Sequence, residues 1–136
     1  MGDTFLLLTV GETGWPHVAM LSVGEVLAVS TQQIRFALWP DSHTSDNLRR
    51  TGLATLMAVT PPLTYLLRLR CEAAPDIRIG KSQRAVFDAV TSEVFEDTVA
   101  YAEVSGGISF RLAEPDKTID GWRATLRSLR KERSAG

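Results

Sequence analysis

The amino-acid sequence predicts a mainly β protein with flanking helices, built as one domain whose antiparallel strands close towards a barrel. Two patterns carry this prediction. Short apolar runs follow one another with only short turns between them, and runs of alternating apolar and polar residues lie on either side of a helix-like stretch. The 136 residues, 44% of them hydrophobic, suffice for a single domain with a sizeable core. No internal repeat or long linker indicates a second domain.

The first half of the chain is expected to form four short strands. Their predicted ranges are residues 4–10, 16–22, 25–30 and 33–39. Val23 and Gly24 separate the second range from the third and suit a hairpin between these two strands. In the fourth range Ile34, Phe36 and Leu38 fall on one face, which predicts a half-buried strand.

A short helix is predicted next, over residues 45–51, with Gly52 as its C-terminal cap. The stretch that leads into it, residues 39–48, contains side chains whose oxygens can cap the free N–H groups of a helix: Ser42, Thr44, Ser45 and Asp46. A helix N-terminus also attracts anions, and His43, Arg49 and Arg50 lie close by in the sequence. From the residues alone, a cap without any ligand is the commoner interpretation of such a cluster.

The second half of the chain is expected to resume the sheet. Residues 53–59 are nearly all apolar, which predicts a strand covered on both faces, and Pro61 and Pro62 end it. Residues 64–73 predict the longest strand. Its polar face carries Arg68 and Arg70, which are either solvated or in reach of a ligand or partner chain.

From residue 82 onward the chain is expected to contain two helices with a strand between them. Apolar residues at three- and four-residue steps predict an amphipathic helix over residues 82–95. Residues 98–104 are ambiguous, and residues 108–113 predict a further strand. A final helix begins at Pro115, with an apolar stripe for docking and a basic face for water. The stripe contains Ile119, Trp122, Leu126 and Leu129, and the basic face contains Arg123, Arg127, Arg130 and Lys131.

Composition and motifs exclude several function classes. The net charge of −1 disfavours nucleic-acid binding, and Cys71, as the only cysteine, excludes an intrachain disulfide. His17 and His43 are too far apart in sequence for a spaced metal motif, so no metal is expected. The dinucleotide-binding and triphosphate-binding glycine loops do not occur. Without a long apolar segment or a basic leader, the protein is expected to be cytoplasmic and not membrane-bound.

The order of elements, however, resembles a known family. The segment GWPHVAMLS, a following strand and the segment IRFALWPDSHTSDNLRRTGLATLMAV look like the pyridoxamine 5′-phosphate oxidase-like family of FMN-binding split β-barrels. The resemblance is good over residues 14–59 and plausible through residues 64–73. It implies a six- to seven-stranded antiparallel split β-barrel of the FMN-binding type. It also implies a homodimer that shares each FMN across its interface and acts on a small-molecule substrate.

The resemblance also implies which residues bind the cofactor. They are His17, Val18 and Ala19 on one strand, Leu38 and Trp39 at a strand end, Ser42, His43, Thr44 and Asn47 at the turn and helix, and Arg68. The Arg-Lys pair that holds phosphate in the oxidases is replaced here by His43 and Thr44. A phosphate would then be held by Ser42, Thr44, backbone donors and His43, with one arginine substituting for the lost cations. The candidates for that arginine are Arg49, Arg50, Arg68 and Arg70.

The resulting functional hypothesis is a flavin-dependent oxidoreductase of unknown small-molecule substrate. Its chemistry would be that of FMN, and no catalytic residue is identified. His17 is either a structural residue or a group near the cofactor, and Trp39 either stacks on a ring or fills the core. The alternative is a cofactor-poor split barrel that serves as a binding or regulatory module. Another flavin-like cofactor is also compatible with the site. Oxidation of pyridoxamine phosphate itself is not expected, because the C-terminal substrate motif of the oxidases is not recognisable.

Overall fold

The computed structural model describes residues 4–98 and 100–135, with side chains described as far as residue 130. Seven strands and two helices follow one another along the chain. They are β1 (Phe5–Val10), β2 (Pro16–Leu21), β3 (Val26–Ala28), β4 (Gln33–Leu38), α1 (His43–Thr51), β5 (Leu53–Thr60), β6 (Leu63–Ile79), β7 (Ser82–Asp97) and α2 (Pro115–Ala135). None of the described helices is long and apolar enough to cross a membrane.

All seven strands belong to one antiparallel sheet in the order β2-β1-β5-β6-β7-β4-β3. The predicted six- to seven-stranded antiparallel architecture with flanking helices is therefore confirmed. The predicted hairpin between the strands at 16–22 and 25–30 is wrong, because β2 and β3 are the two edge strands of the sheet. The chain passes from one edge to the other through a tight turn, in which the Glu25 carboxylate accepts hydrogen bonds from the backbone N–H and hydroxyl of Ser22.

The predicted helix at residues 82–95 is also wrong, because this segment is strand β7. It pairs with β6 along most of its length and with β4 at its first half. Both of its faces are covered in that half: Phe87 and Ala89 pack into one apolar cluster, and Val86 packs into another. A strand buried on both faces loses the two-residue alternation by which strands are recognised. The apolar spacing therefore matched a helix by coincidence.

Of three further predicted elements, the two helices are confirmed and the strand is wrong. The short helix is confirmed as α1, with Ser42 as N-cap and Gly52 as a left-handed C-cap at φ 68°. The final helix is confirmed as α2. The strand predicted at residues 108–113 is wrong, because this described segment contains no strand. The ring of Phe110 instead packs edge-on against Trp122 of α2, with 6.2 Å between the ring centroids.

Two apolar clusters lie on opposite faces of the sheet. The larger one fills the inner face and contains Leu7, Leu21, Phe36, Leu38, Leu48, Leu56, Leu69 and Phe87. The smaller one lies on the outer face beneath α2 and contains Leu27, Ala37, Ile77, Val86 and Leu129. Because α2 covers the outer face of β4, the prediction of a half-buried strand at residues 33–39 is corrected: Arg35 and Ala37 on that face are buried as well.

A charged pair ties α2 to the sheet. The buried Arg35 donates to both carboxylate oxygens of Asp88 at 2.5 and 3.1 Å, and to the main-chain carbonyl of Leu129 at 2.9 Å. Arg35 is on β4 and Asp88 on β7, so two strands and the helix meet at one guanidinium. An arginine buried in this way is stabilised only while its partners are present.

Beyond α2, part of the outer face is apolar, although Arg68 and Arg70 lie on the same face. The strand register places five apolar residues side by side across β2, β1, β5, β6 and β7; they are Met20, Leu6, Met57, Leu66 and Phe95. We call this set the apolar row. Strand β5 was predicted to be covered on both faces, but Leu53 on its outer side is half exposed. Monomeric proteins rarely expose contiguous apolar surface of this kind.

Cys71 on β6 makes protein stability depend on pH. Burial raises the pKa of its thiol from the ordinary value of 9.0 to about 12. Between these values the unfolded chain releases the thiol proton and the folded chain keeps it, so a rising pH favours unfolding. We expect the free energy of unfolding of the wild type, relative to Cys71→Ala, to fall by at most about 1.4 kcal/mol per pH unit above pH 9.0. Urea unfolding of both proteins at several pH values measures this difference, and parallel pH profiles would contradict it.

Candidate functional site

The turn between β4 and α1 is fixed by its own serines. The hydroxyl groups of Ser42 and Ser45 both donate to the main-chain carbonyl of Trp39, at 2.9 and 2.7 Å. The Ser42 hydroxyl also accepts a hydrogen bond from the backbone N–H of Ser45 at 3.1 Å. Ser42 is thus the N-cap of α1. The side chain of Thr44 is buried, so this residue faces the protein interior rather than solvent.

A cavity of about 390 Å³ opens between the β1–β2 turn and α1. We call it the corner cavity. The residues that line it include Trp15, His17, His43, Asp46, Asn47 and Arg50. The planes of the His17 and His43 rings are tilted by 55° to each other, with 5.7 Å between the ring centroids. Three predicted site residues, His17, His43 and Asn47, therefore meet in one place although they come from a strand and a helix.

Asn47 is held by bonds within the protein. Its side chain is 4% exposed, and its amide nitrogen donates to the hydroxyl of the buried Thr9 on β1 at 3.0 Å. Its amide oxygen accepts a hydrogen bond from Arg50 at 3.3 Å. Arg50 also donates to the main-chain carbonyl of Val10. Asn47 thus connects α1 to β1 and fixes the position of a cation beside the corner cavity.

Other predicted site residues lie outside the corner cavity. Ala19 packs against the inner cluster, and Leu38 is buried within it. Val18 and Arg68 lie on the outer face, in a row that runs across β2, β1, β5 and β6. Three strand spacings separate them, which amounts to about 14 Å. Within one chain, the structure does not bring Val18 or Arg68 to the cavity.

Trp39 is not a core residue, since its side chain is 58% exposed. The guanidinium carbon of Arg84 lies over its ring, 3.7 Å from the centroid. This stacked pair stands at the ends of β4 and β7, just before the turn that leads into α1. A cation this close to the ring centroid makes a cation–π contact, so Trp39 is held at the surface by Arg84.

Sequence reasoning missed Trp15 and did not single out Arg50. Trp15, which is 76% exposed, lines the corner cavity from the turn between β1 and β2. In the sequence, Trp15 could have been identified by its position next to Pro16 and His17. Arg50 could have been identified by its spacing, because residues 43, 47 and 50 are separated by four and three positions and so lie on one side of a helix.

No family model matches the chain. The chain is 36% identical to the uncharacterized protein YclD of Bacillus subtilis over 129 residues, which cover 95% of this chain and 84% of that protein.

Solved structures resemble it in fold. One is a presumed pyridoxamine 5′-phosphate oxidase of Lactobacillus delbrueckii, with a TM-score of 0.57, 17% identity, and coverage of 68% of this chain and 84% of that one. Another is HupZ of Group A Streptococcus, with a TM-score of 0.60, 15% identity, and coverage of 76% and 90%. The split-barrel fold predicted from the sequence is thereby confirmed.

Proposed function

Because this chain belongs to the same family as YclD and has the split-barrel fold of the pyridoxamine 5′-phosphate oxidase-like proteins, we propose that it binds FMN and acts as a flavin-dependent oxidoreductase. The observation that carries the proposal is the corner cavity beside α1. It brings two histidines and an arginine together along one side of α1, from His43 in the first turn to Arg50 in the last, and these donors favour a phosphate. Bound FMN would supply the hydride or electron chemistry.

The charges of the cavity fit a phosphate group in part. His17, His43 and Arg50 provide donors, whereas Glu12 and Asp46 also line the cavity and oppose an anion. The Asp46 carboxylate is offset by Arg49, whose guanidinium lies 3.1 Å away.

The rest of the site is proposed to come from a second copy of the chain. The two ends of the apolar row, Met20 and Phe95, are exposed in one chain, and a homodimer would bury them. In such a dimer Val18 and Arg68, which lie beside the apolar row, belong to the interface, where the family resemblance implies that the flavin is shared. These two predicted residues then act across the interface instead of within one cavity.

One observation favours a second candidate function, that of a cofactor-poor binding module. The position of the family's phosphate-binding lysine is taken by Thr44, whose side chain is 3% exposed and so turned away from solvent. Together with Glu12 and Asp46, this reduces the positive charge that a phosphate would meet. A module of this kind would use the same cavity for a ligand other than FMN.

A titration with FMN tests the proposed function. The purified protein is expected to show the visible absorption of a bound flavin and to bind added FMN. His43→Glu places a negative charge at the corner cavity, so we expect it to weaken FMN binding by about 100-fold. Thr31→Glu, an equal charge change at an exposed residue between β3 and β4, is the control and should leave the affinity unchanged. A colourless wild type that does not respond to FMN would instead favour the cofactor-poor module.

A further inference from the structure

We infer that Arg50 is the residue whose guanidinium binds the phosphate group of FMN in the corner cavity, and that Asn47 is the positioning residue that holds it there. This inference rests on the proposed function and names the cation that replaces the Arg-Lys pair of the oxidases. The sequence left four arginines as candidates. The structure distinguishes them by what each one contacts.

Three of the four candidate arginines are placed elsewhere. Arg49 pairs with Asp46 at 3.1 Å and donates to the main-chain carbonyl of Pro40 at 3.1 Å. Arg68 lies on the outer face, 3.9 Å from Glu93 and over the ring of Phe95. Arg70 lies two residues further along the same face of β6. In the part of the chain that the structure describes, Arg50 is the only arginine or lysine that lines the corner cavity.

The charge of Arg50 is not neutralised by its hydrogen-bond partners. It donates to the amide oxygen of Asn47 at 3.3 Å and to the main-chain carbonyl of Val10, and both acceptors are uncharged. Within residues 4–98 and 100–130, no ion pair with a carboxylate involves Arg50. A guanidinium has five N–H donors. Its remaining donors and its full charge are therefore available to an anion.

Asn47 holds the guanidinium group of Arg50 in one orientation before a ligand binds. Its amide nitrogen is bonded to the buried hydroxyl of Thr9, so its amide oxygen must point the other way, towards Arg50. Both Thr9 and Asn47 are buried, which leaves the carboxamide little freedom to turn. A planar guanidinium held in one orientation loses less entropy when it binds a phosphate than a free side chain would.

The test compares FMN with riboflavin, which has the same ring system and lacks the phosphate. We expect Arg50→Gln to weaken FMN binding by about 10- to 100-fold, because a charge-assisted hydrogen bond is lost, and to leave riboflavin binding unchanged. Asn47→Ala keeps the charge of Arg50 and should lower the ratio of FMN to riboflavin affinity in the same direction, by a smaller factor. Arg127→Gln on the exposed side of α2 removes the same charge far from the cavity and is the matched control.

The measured flavin affinities either support or overturn the role of Arg50. Equal FMN affinities of Arg50→Gln and Arg127→Gln would overturn it and leave the proposed function standing, provided that the wild type binds FMN. Equal losses of FMN and riboflavin affinity would also overturn it, since Arg50 would then act on the ring site or on the fold. Thermal unfolding of each variant separates these two causes. A wild type that binds neither flavin would overturn the proposed function and this inference together.

Discussion

A variant with glutamate in place of both Met20 and Phe95 is expected to be a monomer, whereas the wild type is expected to be a dimer. These residues form the two ends of the apolar row, and they are 65% and 40% exposed within one chain. In a two-fold interface every substitution occurs twice, so four carboxylates would have to be buried or brought close together. We expect the dimer dissociation constant to rise by about 1,000-fold or more.

Light scattering over a range of protein concentrations measures this change. Because Met20 and Phe95 are exposed in the single chain, we expect the variant to fold normally. Circular dichroism checks that it does. Val23→Glu with Thr31→Glu adds the same two charges at exposed positions outside the apolar row and should remain dimeric. FMN affinity should fall together with dimerisation, because the proposed site is shared. A wild type that is monomeric at all concentrations would contradict the interface assignment.

Gly24→Ala is expected to lower the free energy of unfolding by about 3 kcal/mol, at the upper end of the usual cost of overpacking. A Cβ atom at this buried position would fall on the side chain of Trp122 of α2. The indole ring cannot simply move aside, because it is also packed edge-on against Phe110. The turn between β2 and β3 and the helix must therefore separate to make room.

Urea unfolding measures the loss, and two controls identify its cause. Gly121→Ala makes the same chemical change on α2, where nothing lies within 4 Å of the added atom, so it should be neutral or slightly stabilising. In a Trp122→Ala background the ring is gone, and Gly24→Ala should cost clearly less than in the wild type. An equal cost in both backgrounds would show that the contact with Trp122 is not responsible.

Much of the fold was predictable because its signals are local. The caps at Ser42 and Gly52 and the alternation along residues 64–73 identify α1 and β6 from neighbouring residues alone. Strand β7 was mistaken for a helix because α2, which follows it in the chain, covers its outer face and removes the alternation. The edge positions of β2 and β3 were missed because pairing depends on the whole sheet, not on the turn between two strands.

The candidate site was predictable only through the family resemblance. His17 and His43 were both named, but their approach across the cavity depends on where α1 sits against β1 and β2. The hydrogen bond from Asn47 to Thr9 and the packing of Leu48 in the inner cluster hold α1 there, and no local pattern encodes these contacts. Arg50 differs from Arg49 in the sequence only by its spacing from His43 and Asn47, which places it on their side of α1.

The link between Arg35 and α2 has a consequence for how this family can diverge. The guanidinium bonds the main-chain carbonyl at position 129, and every amino acid provides that acceptor. The donor side of the hydrogen bond is therefore set by Arg35 and its partner Asp88, while the helix contributes a backbone carbonyl that is positioned by the packing of Leu129. Related proteins are free to exchange the charged, solvent-facing residues of this C-terminal helix without breaking that bond, so the two sheet residues should vary least.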